Sequence, residues 1–122
     1  MQYKVLQIQL SHAEVEMVNN GVELRKHVLK SWMFGKHVVK NAKKALAANY
    51  YDHVMTVDAK NLEDVYAVGN FMHDRDLDKV QVHGTFSSVS VGDVVVDEDG
   101  FMFVVDMFGY EMLPNKIYAY AA

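Results

Sequence analysis

Cysteine is absent from this chain. That removes disulfides, thiol nucleophiles and cysteine-bound zinc together, and it is compatible with a reducing cytoplasm. Proline occurs once and no Ser/Gly/Pro-rich tract is present, so neither a linker nor a disordered composition is expected. No apolar run approaches the roughly 18 residues that a membrane-spanning helix needs. Met1–Leu10 alternates in polarity, unlike the unbroken apolar stretch of a secretory signal. Catalytic signatures are missing too: there is no P-loop, no GxGxxG, no GxSxG elbow and no HExxH. Ser87, Ser88 and Ser90 have only His83 near them in sequence, and sixteen carboxylates without geometry single out no acid–base pair. The expectation is a non-enzymatic protein without a cofactor.

One sign of charge is missing from a whole segment. Between Leu24 and Tyr51 there is no acidic residue, while Arg25, Lys26, Lys30, Lys36, Lys40, Lys43 and Lys44 supply seven of the twelve basic residues. Asp52–Ala122 holds thirteen carboxylates against four basic residues, in a chain of net charge −4. Clustered charge governs long-range attraction more than fold. The 122 residues, 51% of them hydrophobic, suit one domain with a real core.

Lys4–Leu10 reads as a strand, with Leu6, Ile8 and Leu10 on one face and Val5, Gln7 and Gln9 on the other. Ser11 and Glu14 form a capping-box pattern, which opens a helix from His12 to about Asn19. Asn19-Asn20-Gly21 stops it. From Val22 to about Ala48 the pattern is helical: Leu24, Val28, Trp32, Gly35, Val39, Ala42 and Leu46 share an arc. If that helix is continuous, the seven basic residues form one stripe beside this arc. Gly35 leaves a break into two helices open, and the apolar Leu29 and Met33 within the basic arc favour a break or a second buried contact. Asp52–Asp58 reads as a second strand, with His53, Met55 and Val57 on one face. Asn61 caps a helix whose expected inner face is Leu62, Val65, Tyr66 and Gly69. His73–Asp78 is a polar loop, and Val80 and Val82 mark a short strand. Val91–Val96 and Phe101–Asp106 read as a hairpin turned at Asp97–Gly100, with Ile117, Tyr118 and Tyr120 as a last edge segment. This order predicts a single α+β domain, N-terminal strand and helices followed by a β-rich end.

Ser88-Val-Ser-Val-Gly-Asp-Val-Val-Val96, Asp99-Gly100, Phe103-Val-Val-Asp106 and Phe108-Gly-Tyr110 together resemble a YodL-like C-terminal module of small proteins from tailed phages and mobile elements. Met107 replaces a small polar residue of that pattern, and Tyr110 replaces a phenylalanine. Tyr51–Val54, Asn61–Val65 and Gly69-Asn70 are similar to small proteins of T4-like and cyanobacterial phages. The resemblance implies a phage-type protein acting in a host cytoplasm and carries no catalytic residue with it.

The basic residues are the leading candidate site. They suit docking onto an acidic surface of a host or phage protein, or nucleic-acid binding with Trp32, Tyr50 or Tyr51 stacking. The alternative is a solvated face that pairs with the acidic half of the same fold. Phe108 and Tyr110 are the second candidate surface. The acidic half also raises a DNA-mimic reading. Carboxylates at His73–Asp78 and Asp97–Asp99 are more readily read as solvated loop and turn than as cation sites. Apolar residues on both hairpin faces imply cover by helices or by a second copy in a homodimer.

Overall fold

The computed structural model describes residues 1–33, 35–70 and 78–114. Within these the chain is a single α+β domain built on one antiparallel sheet. The strands are β1 (Gln2–Ile8), β2 (Tyr51–Asp58), β3 (Val80–Val82), β4 (Val94–Val96), β5 (Met102–Asp106) and β6 (Gly109–Met112), ordered β3-β2-β1-β4-β5-β6. The helices are α1 (His12–Asn19), α2 (Arg25–Ser31), α3 (Val38–Ala47) and α4 (Leu62–Gly69), with a 3₁₀ turn at Gly35–His37 before α3. The final edge segment read at Ile117–Tyr120 lies outside the described residues.

Both faces of the central strand are dry. Leu6 and Ile8 join Val94, Val96, Met102 and Val104 under α2 and α3, which contribute Leu29, Val38, Ala42, Ala45 and Leu46. Tyr3 and Val5 join Met55, Val57, Val95 and Val105 under α4, which contributes Val65 and Val68. Helices of the same chain thus contribute cover to both hairpin faces.

Local signals explain the element ends. Ser11 Oγ accepts from the Glu14 amide at 3.1 Å and Glu14 Oε1 accepts from the Ser11 amide at 2.8 Å, which is the capping box. Asn61 caps α4 by accepting from the Asp64 amide at 3.0 Å. Asn49, at φ +59°, ends α3 in the left-handed conformation that asparagine tolerates.

One open alternative is decided and one expectation is corrected. Val22–Ala48 is two helices: α2 stops at Ser31, and α3 starts at Val38. The carbonyl of Trp32 left free by the break accepts from Asn41 Nδ2 of α3 at 3.1 Å, which gives the buried Asn41 amide a partner. The break lets Leu29 and Met33 turn into the core. Along β2, His53 does not share a face with Met55 and Val57. Val5 pairs with Met55 but Leu6 pairs with His53, so Val54 is a bulge. One extra residue flips the alternation, sending Tyr51 to the core under α2 and α3 while Met55 and Val57 stay under α4.

Gly92 sits where these parts meet. Its φ is +95°, and an added Cβ would lie 2.6 Å from Met33 Cβ. Strain and overlap act together there. Gly92→Ala should lower unfolding free energy by about 2–4 kcal/mol, read by urea denaturation. Gly84→Ala, with nothing near its added Cβ, should leave it within about 0.5 kcal/mol.

Candidate functional site

The seven basic residues do not form one stripe. Arg25, Lys26 and Lys30 belong to α2, Lys36 to the 3₁₀ turn, and Lys40, Lys43 and Lys44 to α3. Both helices cover the same sheet face, so the cations remain in one layer as two patches. Lys26 is half-buried and pairs with Glu14 at 3.1 Å. The other six are exposed and form no ion pair among the described residues. The expected pairing with the acidic half is therefore not seen there. Of the three stacking candidates, Tyr51 is buried and donates its hydroxyl to the Gly92 carbonyl at 2.6 Å. Tyr50 packs against the core. Trp32 alone stands in solvent, 53% exposed.

The hairpin end is different from its sequence reading. Asp106 pairs with Gly109 across a tight turn, so Met107 and Phe108 form its tip and Tyr110 is the second residue of the edge strand β6. Phe108 is 99% exposed and Met107 65%. Cross-strand pairing places Phe103 beside Met112 and Val105 beside Tyr110. Val105 and Tyr110 pack with the α4-side core, so this row lies on that face. α4 packs most closely on β2, and its Val65 and Val68 share one buried cluster with Val95 and Val105. Between α4 and the hairpin lies a groove of about 450 Å³ lined by Glu63 and Tyr66 of α4, Val91, Val105, Tyr110 and the tip residues Asp106–Phe108. Tyr66, expected on the inner face of α4, stands 47% exposed at its rim. Burial, then the nearby Asp93 charge, pushes the Tyr110 hydroxyl up to about 12, and that hydroxyl has no hydrogen-bond partner among the described residues.

The Ser88–Asp93 motif does structural work. Gly92 and Asp93 exchange backbone hydrogen bonds with Val105 of β5, while the stretch before them is held by side chains. Gln7 Nε2 donates to the Ser87 carbonyl at 2.9 Å, and Gln7 Oε1 accepts from the Ser87 amide at 3.0 Å. Asn70 accepts from the Val89 amide at 2.6 Å and donates to the Val89 carbonyl at 3.2 Å. Asp93 Oδ2 accepts from the Ser90 amide at 2.9 Å and from Gln7 Nε2 at 3.0 Å. Burial pushes the Asp93 carboxyl up to about 7, against the lowering effect of the Ser90 and Gln7 bonds and of Lys30. Both bonds fall on Oδ2, which leaves Oδ1 for the proton.

The acidic turn also acts locally. Asp97 Oδ1 accepts from the amides of Asp99 and Phe101, and Glu98 Oε1 accepts from the Gln2 amide. The polar loop read at His73–Asp78 lies, apart from Asp78, outside the described residues. Among the described residues no three metal-ligating side chains cluster, and no helix is long and apolar enough to cross a membrane. Sequence spacing gave no sign of the His53–His83 pair. Their rings lie 4.5 Å apart, with Thr56 Oγ1 between them at 3.2 Å and 2.8 Å. Burial, then His83 and Lys4, holds His53 below its usual value. Two imidazoles fall short of the three or four donors that zinc takes.

The Asp93 proton ties stability to pH. The folded chain keeps that proton up to about pH 7, whereas an unfolded chain loses it near the ordinary carboxylate value. Stability should therefore fall as pH rises from about 4 to 7, by up to about 1.4 kcal/mol per pH unit, and level off above. Asp93→Asn should flatten that dependence in urea titrations at a series of pH values. An unchanged slope would remove Asp93 as its source.

No family model, curated protein or solved structure matches the chain, so what its surfaces do follows from their own chemistry.

Proposed function

We propose that this is a non-enzymatic interaction protein that docks onto a protein partner through the β5–β6 tip and the groove beside α4. Phe108 is its anchor. The observation that carries this reading is the complete exposure of Phe108, next to exposed Met107, above an apolar groove. Burying a phenylalanine side chain contributes about 1.5–3 kcal/mol, and turn positions ordinarily hold Gly, Asn or Asp. An aromatic placed there does nothing for the hairpin, and it is the residue type that anchors interfaces. The YodL-like resemblance supplies the expected setting, a phage or mobile-element protein acting in a host cytoplasm on a host or phage protein.

Nucleic-acid binding is the second reading, favoured by exposed Trp32. Asn41 ties it to α3 in the layer that carries Lys30, Lys36, Lys40, Lys43 and Lys44. Stacking plus phosphate contact would be weakly specific and salt-sensitive. The DNA-mimic reading draws no support from Asp97 and Glu98, which are committed to backbone bonds.

Capture from bacterial lysate, with and without nuclease, tests these readings. One dominant protein should survive nuclease, be lost with Phe108→Ser and persist with Lys40→Glu/Lys43→Glu/Lys44→Glu, with thermal unfolding unchanged in both variants. A broad set lost with nuclease and with the lysine reversal would move the function to nucleic acid.

A further inference from the structure

We infer that the groove beside α4 takes a cationic amphipathic helix, one with an apolar stripe flanked by Lys or Arg. This rests on the docking reading above and adds the chemistry of the partner. The groove floor is apolar: Val91, Val105 and the Tyr110 ring, continued at the tip by Met107 and Phe108. Its rim is acidic, with Glu63 on α4 and Asp106 at the turn. A second cleft of about 600 Å³ shares Glu63 and adds Asp97, Asp99 and Phe103. Among the described residues no Lys, Arg or His side chain lines either cleft, and the one cation at the second, the Met1 ammonium, is paired with Asp58 at 3.3 Å. Six of the seven basic residues of the Leu24–Tyr51 segment are exposed on α2, the 3₁₀ turn and α3, over the opposite sheet face. The largest group of cations and the acid-rimmed groove thus lie on different faces of the sheet.

The shape points to a helix. On the other face two helices supply the cover, whereas here α4 alone contributes helical residues to the buried cluster and packs most closely on β2. A helix laid beside α4 would complete that layer. It would present apolar residues at i, i+3, i+4 and i+7 to Tyr66, Tyr110 and Phe108. Its flanking cations would meet Glu63, Asp99 and Asp106, where unlike charge raises the encounter rate and like charge is penalised.

The test uses the full chain and labelled synthetic helices of about four turns, read by fluorescence anisotropy at physiological salt. One probe carries a leucine stripe flanked by lysines, the other the same stripe flanked by glutamates. The lysine probe should bind and the glutamate probe should not. Phe108→Ser should weaken the lysine probe about tenfold or more. Glu63→Lys/Asp99→Lys should weaken it about tenfold. Glu16→Lys/Asp52→Lys makes the same change in net charge on exposed residues that line neither cleft, and should leave binding unchanged. Equal loss in that control pair would mean general attraction to an acidic protein and would overturn the proposal. Equal binding of the glutamate probe, lost with Phe108→Ser, would overturn the cationic partner while leaving the docking site standing. If neither probe binds and Phe108→Ser leaves lysate capture unchanged, both fall.

Discussion

Gln7 lies near the end of the central strand β1, on a face that packing has closed to water. A buried amide without partners costs several kcal/mol, so the surroundings of Gln7 have to supply them. Gln9 donates to its oxygen, and the other partners come from one distant stretch of chain: the backbone of Ser87 and the carboxyl of Asp93. Asp93 then fixes Ser90, and Asn70 fixes Val89 between them. Through these bonds an irregular segment is held against the sheet as firmly as a strand would be. β4 leaves that segment already in register with β1, and β5 and β6 follow from β4.

The same end of the sheet shows why small residues stand where they do. Tyr51 reaches across to the Gly92 carbonyl, and Met33 packs directly over Gly92. Gly69 lies close against Val89. Each is a close approach of backbone to side chain that a Cβ would block. The bulge at Val54 belongs to this arrangement, because it turns Tyr51 to the side where Gly92 lies.

Cover differs on the two faces. α2 and α3 supply it on one, α4 on the other. Beside α4 a groove remains, where the hairpin tip puts Phe108 in water and where Glu63 and Asp106 stand at the rim. The basic segment of the sequence becomes a helical layer on one side, and the acid-rimmed groove lies on the other.

The sequence by itself determined what depends on near neighbours. The capping box at Ser11, the asparagine cap of α4, the stop at Asn49, the Asp97–Gly100 turn and the α+β order all come from contacts within a few residues. Tertiary structure decided the rest. The break after Ser31 is set by Leu29 and Met33 needing the core and by Asn41 meeting a freed carbonyl. Tyr66, expected on the inner face, stands at the rim of the groove between α4 and the hairpin. The bulge reversed His53, and the pairing of Asp106 with Gly109 puts Met107 and Phe108 at an exposed tip. Gln7 is buried by a segment eighty residues away. Periodicity tells which residues are able to share a face. Which faces find cover depends on where distant strands fall, and no local pattern carries that.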